Sequence, residues 1–514
     1  MRTRSILLLS TLWSAACVQA QEPARFQKAY GLDSSETAND VVQLPDGGFM
    51  LVGTTNSSIS AGGSDIYVVR TDAQGELQWA RSYGGGGNEV FGGIATTSDG
   101  GIVVAGSSSS WASTDSIEPY LLKIDAAGDP VWSRTYGSMG GFNGVASTPD
   151  GGFILAGSDG AWPSDSSPDM LVIRADADGD TLWTRLFDTP SSPPPFGSWS
   201  FVRFVRATSD GGCIIGGGVA SVFVGTGSPF LLKLTADGTL SWSNYYAFLQ
   251  VHDLRITADG DLLVLGTETD LMWYYTSLER ITATGIPLSH HQYYPTNLGR
   301  NSLYILDDNS IAICGDNSIL RTDAAGDVLW AKEIVPGSHV GLGKILVAAD
   351  GDLVTAGYLT DTMGLSTYAL LIKTEDGANG CGMEPLAASS GSYSTASSPL
   401  PLPLGLWTGQ VEEVVTQVGS GGTTTDICIG TGLPEVPGPV SLNVSIEGGA
   451  LQVSNAPAGH RYTLFDGMGR ALREGRVTAD RFGIDLANVP SGAYTLRIAD
   501  KDHAQAKRFL WAGY

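Results

Sequence analysis

Apolar residues in this chain fall into short runs, each a few residues long and fenced by glycine. Phe49-Met50-Leu51-Val52 follows Asp46-Gly47-Gly48, and the arrangement recurs as Asp99-Gly100-Gly101-Ile102, Asp150-Gly151-Gly152-Phe153 and Asp210-Gly211-Gly212-Cys213. Looser copies sit at Asp259-Gly260-Asp261-Leu262, Asp308-Asn309-Ser310-Ile311 and Asp350-Gly351-Asp352-Leu353. Successive aspartates are 53, 51, 60, 49, 49 and 42 residues apart. A period near fifty residues marks supersecondary units that bury their faces against one another.

Each copy is followed by a second pattern. Tyr67 through Trp79 is matched by Tyr120 through Trp132, Leu171 through Trp183, Leu231 through Trp242 and Leu320 through Trp330. A glycine precedes each tryptophan by four residues; the fifth unit keeps Gly285 but carries Ser289 in place of tryptophan. Every unit therefore predicts four strands, A to D, with tight turns between A and B and between C and D. Such turns need positive φ, which Gly, Asn and Asp tolerate best. Period-two alternation around Trp79, Trp132, Trp183, Trp242 and Trp330 puts the ring on one sheet face, and its recurrence favours packing between units over an aromatic platform.

Seven four-stranded units predict an all-β fold, a seven-bladed β-propeller. The seventh unit lacks strand D, whereas Phe26-Gln27-Lys28-Ala29-Tyr30-Gly31 near the start matches Trp79-Ala80-Arg81-Ser82-Tyr83-Gly84. The N-terminal strand is thus expected to complete the last blade. Strand order puts the Asp-Gly turns on one rim and the irregular B–C and D–A connections on the other. Those connections are 55–64, 107–117, 158–168, 188–200, 219–228 and 359–366. Three tryptophans outside the repeat fall among them: Trp111, Trp162 and Trp199. They are the candidate ligand-binding residues, since aromatic faces among hydroxyls and carboxylates suit sugar rings. Ordinary loop packing is the competing reading.

Composition sharpens this picture. Of 514 residues 68 are glycine and 42% are hydrophobic, which excludes wholesale disorder. Acidic residues outnumber basic ones 53 to 29, a net charge of −24 that argues against nucleic acid or an anionic membrane as partner. Arg2, Arg4, the run from Ile6 to Leu9 and Val18-Gln19-Ala20 read as a signal peptide, residues 1–20. A degenerate lipobox ending at Cys17 is the alternative. No other apolar run is long enough to span a membrane.

Four other cysteines follow. Cys213 and Cys314 sit in apolar strands and read as buried thiols. Cys381 and Cys428 flank a low-complexity stretch and are a possible disulfide in an oxidising compartment. Nucleophile, zinc and phosphate-loop motifs are absent from the sequence. Asp176-Ala177-Asp178-Gly179-Asp180 has the look of a calcium loop, but its aligned copies mark it as a C–D turn. No cofactor, metal or catalytic residue is indicated.

Composition shifts near 384, where Ser, Thr, Gly and Pro dominate through 438; this segment reads as a linker extended against the propeller. Alternation resumes from Val440, predicting a small β-sandwich over 439–514. Tyr462-Thr463-Leu464-Phe465-Asp466, Gly469-Arg470, Ile484-Asp485-Leu486 and Val489-Pro490-Ser491-Gly492-Ala493-Tyr494-Thr495-Leu496-Arg497-Ile498 appear there in that order. In these residues the tail resembles the type A C-terminal sorting domain of proteins exported by the type IX secretion system of Bacteroidota. A Pro-Asn-Pro opening is missing, and Lys507-Arg508-Phe509-Leu510-Trp511 replaces the more usual basic-aliphatic ending. The blade repeats likewise resemble the uncharacterised propeller repeats often attached to such tails. The resemblance implies the type IX machinery as partner, with Gly469, Arg470, Pro490, Gly492 and Tyr494 as sorting-motif residues. It also implies a secreted or outer-membrane surface location.

Three functions compete on these grounds. A non-catalytic propeller binding glycan or protein through its irregular rim comes first. A polysaccharide hydrolase or lyase on the same scaffold is second. A quinone-dependent dehydrogenase is third, and its usual repeat spacing differs from the three-residue step between Asp72 and Gly75.

Overall fold

The protein is described by a computed structural model. It covers residues 25–375 except residue 33 and loops 112–115, 138–139, 160–168, 188–197, 222–227, 247–249, 270–273, 295–301, 335–339 and 362–365. Beyond 375 it covers residue 377, the strands given below, 477–479, 486 and 489. Residues 1–20, read above as a signal peptide, lie outside these residues.

Blade one is Asp40–Gln43, Phe49–Thr55, Asp65–Thr71 and Leu77–Gly84, paired in chain order. Five further four-stranded antiparallel units follow over 89–137, 140–187, 198–245, 250–294 and 302–334. The seventh is Val340–Val347, Leu353–Thr360 and Thr367–Thr374, completed by Arg25–Gly31. Phe26 lies opposite Lys373 and Tyr30 opposite Ala369. This is a seven-bladed β-propeller.

Its core is partitioned by the ring. Strands B and C are buried on both faces, so alternate residues serve different seams: Phe49 and Leu51 pack with blade seven, Met50 and Val52 with blade two. One apolar cluster fills each of the seven seams between neighbouring blades. Full burial of such a side chain contributes about 1.5–3 kcal/mol, so each seam is a substantial share of the stability.

The turns follow one recipe. Leu44 N–H donates to the Gly48 carbonyl and Gly47 N–H to that of Leu44, a three-residue hairpin loop whose last residue is left-handed. That residue has positive φ in all seven A–B turns: Gly47, Gly100, Gly151, Gly211, Gly260, Asn309 and Gly351. Asparagine in the sixth blade tolerates the same conformation.

The segment read from composition as a linker carries strands. Met383–Pro385, Ser389–Ser392, Ser398–Pro399, Leu404–Gly405, Gln410–Glu413, Gln417–Ser420 and Thr423–Gly430 each add a fifth strand, antiparallel to strand D. They visit blades six, five, four, three, two, one and seven in turn, so the chain runs back around the whole ring as a belt. Low apolar content does not prevent this, because the pairing groups are backbone N–H and C=O. The belt covers outer edges that otherwise present unpaired strand groups. Its last strand pairs with Arg25–Gly31, so the two ends of the propeller chain lie side by side.

The belt has a concealed period. Ile334, Tyr293, Phe187, Tyr136, Tyr83 and Tyr30 occupy one position of strand D. They face Met383, Ser390, Leu404, Val411, Val418 and Thr424. Those belt residues are 7, 14, 7, 7 and 6 apart, the longest step crossing two blades. The belt therefore advances about one blade per seven residues.

The chain from Leu433 on forms a second compact unit. Asn443–Glu447, Ala450–Ser454 and Arg481–Asp485 make one sheet. Arg461–Phe465, Ala471–Arg476, Gly492–Ala499 and Ala504–Trp511 make another. Leu451, Val453, Leu464, Ile484, Tyr494 and Leu496 share its core.

Candidate functional site

On the Asp-Gly rim the charged side chains repeat. Asp46 pairs with Arg70, Asp99 with Lys123, Asp150 with Arg174, Asp210 with Lys233, Asp259 with Arg280, Asp308 with Arg321 and Asp350 with Lys373. In every blade the A–B turn carboxylate thus clips the end of strand C. The Lys123 ammonium, helped by the Thr97 hydroxyl, holds the Asp99 carboxyl down at about 2. Gly48 follows the same turn, and its N–H donates to Asp46 Oδ1 at 3.1 Å.

The repeat tryptophans join neighbouring blades. Trp79 lies on the C–D turn of blade two so closely that a Cβ on Gly128 would sit 2.7 Å from the indole. Trp132, Trp183 and Trp242 do the same at Gly179, Gly238 and Gly285. Phe26 covers Gly75, and where Ser289 replaces tryptophan the His291 ring covers Gly326. Trp330 packs into the seam between blades six and seven. Arg81, Arg134 and Arg185 stack over Trp79, Trp132 and Trp183 at 5.1–5.6 Å, a cation–π contact.

A tyrosine four residues further on adds a hydrogen bond that sequence reasoning missed. Tyr30, Tyr83, Tyr136, Tyr246 and Tyr293 each donate O–H to the carbonyl of the glycine in the next blade's turn, at 2.6–2.9 Å. Phe187 has no hydroxyl to give. There Arg185 Nε donates to the Gly238 carbonyl instead, at 3.1 Å.

The other rim repeats only in part: Glu36 and Glu89, 53 residues apart and both buried, accept alike from the hydroxyls of Thr55 and Ser108 and from the N–H groups of Leu32 and Gly85. Trp111 stacks on Tyr120 with ring centroids 5.3 Å apart and packs, half-buried, against the seam between blades one and two. Trp162 lies outside the described residues. Trp199 stands in the strand Ser198–Ala207 opposite Ala220, its side chain outside them. Nearby, Asp65 and Glu89 are completely buried and face each other across the same seam. Ala61 N–H donates to Asp65 Oδ2, while Gly85 N–H and the hydroxyls of Ser108 and Ser110 donate to Glu89. Burial and the neighbouring Glu89 push the Asp65 carboxyl up to about 6. Walled in this way, the pair is a seam element that a substrate does not reach.

The axis of the ring holds the remaining cluster. Five A strands carry a bulge against strand B, and the extra residues are Gly92, Asn143, Arg203, His252 and Gly343. Bulges re-aim side chains. All five line a cavity of about 180 Å³, together with Asp40, Arg206, Asp253, Ser302 and Lys344. Asp253, 3% exposed, accepts from Arg206, from Arg255 at 3.3 Å, from Ser302 at 2.9 Å and from the Leu303 N–H at 3.2 Å. Burial alone would raise this carboxyl, but Arg255, Arg206 and Lys344 outweigh it and hold it far below its usual range. Lys344 Nζ lies 3.5 Å from Asp40. Arg203 lies over the Phe201 ring at 5.1 Å and donates to Gln250 at 3.5 Å.

Cys213 and Cys314 are buried free thiols, each pushed up to about 12 by burial. Cys381 lies outside the described residues; Cys428 stands in the last belt strand opposite Gln27. Gly469, Arg470 and Pro490 also lie outside them. Gly492 opens its strand opposite Trp511, and Tyr494 is buried in the core of the second unit. Among the described residues no group of His, Cys, Asp and Glu is arranged to hold a metal ion, and no helix is long and apolar enough to cross a membrane.

No protein-family model matches the chain, and no curated protein sequence matches it. Solved structures do, distantly. One is PorZ, a surface component of the type IX secretion system of Porphyromonas gingivalis. It is 10% identical, with 94% of this chain and 99% of that one covered at a TM-score of 0.25. The Dos1 propeller is 8% identical over 68% of this chain and 95% of its own, TM-score 0.40. The polysaccharide lyase Uly1 is 12% identical over 71% and 94%, TM-score 0.41.

Proposed function

We propose that the mature protein is a non-catalytic secreted or cell-surface propeller that binds glycan or protein through its irregular B–C and D–A rim. The carrying observation is where repetition stops. Seven copies of one ion pair and one left-handed turn occupy the Asp-Gly rim. On the opposite rim a shared motif, Glu36 and Glu89 with their hydroxyl donors, joins two blades among the described residues, and the connecting sequences otherwise differ from blade to blade. A scaffold that repeats at one face and varies at the other presents its specificity on the varying face.

A glycan array of residues 21–514, compared with W111A/W162A/W199A, tests this reading. Loss of binding with an intact melting transition supports it, and unchanged binding removes the tryptophans from the site. The tail resemblance supports export through the type IX machinery. Deleting 439–514 is expected to trap the protein in the periplasm, and normal secretion of the truncated chain refutes the sorting role.

A further inference from the structure

The axial cavity gathers positive charge inside an acidic chain. Three cations, Arg203, Arg206 and Lys344, line it with only two carboxylates, Asp40 and Asp253, and one of these, Asp253, is also engaged by Arg255 beside the cavity. The lining thus carries an excess of positive charge at the centre of a molecule whose net charge is −24. A merely structural axis has cheaper solutions, since burying a charge costs several kcal/mol unless it is matched. Asn39, Asn143 and Ser302 already line part of the wall with uncharged groups.

The cations are held in place before any ligand arrives. Arg206 Nε donates to the Leu254 carbonyl at 3.1 Å and its Nη1 to that of Val205 at 2.9 Å, while its fork also meets Asp253. Arg255 is held by the same carboxylate. Two bulges bring Arg203 and His252 to the cavity from neighbouring blades, and the A strand of blade seven brings Lys344. Burial, reinforced by Arg255 and Arg206, pushes the Lys344 ammonium below its usual range, although Asp40 opposes the shift. A bound anion would relieve that repulsion.

We propose that the axial cavity is an anion-binding site for a carboxylate carried on a molecule the size of one sugar ring. Guanidinium groups match the planar, two-oxygen geometry of a carboxylate. The volume equals about six water molecules at roughly 30 Å³ each, enough for one small acid or one terminal uronate residue. No tryptophan is among the residues that line the site, and the proposal rests only on the ring being a binding scaffold.

The test is calorimetric titration of the full mature chain with free glucuronate, with short galacturonate oligomers and with glucose. Glucuronate is expected to bind, more weakly at about 300 mM salt than at about 20 mM, and glucose is not. Arg203→Gln and Lys344→Met, each with an unchanged melting transition, are expected to weaken binding tenfold or more. The W111A/W162A/W199A variant keeps it. Tighter binding of oligomers identifies a polymer end as the natural occupant, and equal or weaker binding identifies a free small acid. Failure of both acids to bind below about 10 mM overturns the site. So does wild-type affinity in the R203Q/K344M double variant. Neither result touches the rim reading, which fails only on the tryptophan variant.

Discussion

Aspartate meets Arg or Lys in two places in this ring, and the two places use the pair in opposite ways. On the Asp-Gly rim the turn carboxylates of blades one, two, three, four and six each have their own cation and remain mostly in water. Around the axis a single buried carboxylate, Asp253, serves Arg206 and Arg255, and the cations outnumber their partners. One-to-one pairing in solvent is a clip that seven blades can repeat cheaply. Shared, desolvated pairing is costly and asymmetric, and at the axis it gathers cations from several blades. The same residue types therefore mark scaffold in one place and candidate chemistry in the other, with burial and stoichiometry deciding which.

Removing one carboxylate from each place breaks the comparison most sharply. Asp253→Asn leaves two half-buried guanidiniums without the counter-charge of a buried carboxylate and is expected to cost about 3 kcal/mol in denaturant unfolding. Asp99→Asn is expected to cost about 1 kcal/mol or less. Equal losses would end the distinction.

Acidity sharpens it next. Asp65 holds its proton more tightly folded than unfolded, so its contribution is most favourable below about pH 4 and is lost as pH rises to about 6. Asp65→Asn should stabilise the protein above pH 6 by up to about 3 kcal/mol, with no gain at pH 4. Asp99 is shifted the other way. Its contribution is present above about pH 4 and fades as pH falls through about 2, as an acid titration of stability will show.

Smaller effects separate the two turns. Gly100→Ala and Gly128→Ala both force a side chain into positive φ, at about 1–2 kcal/mol. Only Gly128 also meets an indole, so its loss should be the larger in the same unfolding assay; nothing lies within 4 Å of a Cβ on Gly100. Least of all, Tyr83→Phe removes one seam hydrogen bond and is expected to cost about 1 kcal/mol.

How far the sequence announces these features depends on how each is encoded. Blades are written in side chains that repeat, so Asp46, Gly75 and Trp79 have visible counterparts about fifty residues away. Closure of the ring has a correlate too, because Phe26 and Tyr30 stand where Trp79 and Tyr83 do. The axial cluster has none. Its members are scattered from Asp40 to Lys344, differ in every blade, and meet only when the ring closes. The belt is hidden for another reason. Its seven-residue step falls on Met383, Ser390, Leu404, Val411, Val418 and Thr424, a mixture of apolar and hydroxyl residues, since what repeats is backbone pairing.

The belt also imposes an order on assembly. Each of its strands needs a finished strand D as template, and the last pairs Arg25 with Gly430 across 405 residues. Contacts of such sequence separation form late, because their loop entropy must first be overcome by the rest of the fold. The belt can therefore pair along its whole length only when all seven blades are present. Pulled from its C-terminal end, it would detach one short strand at a time while the ring beneath stayed whole.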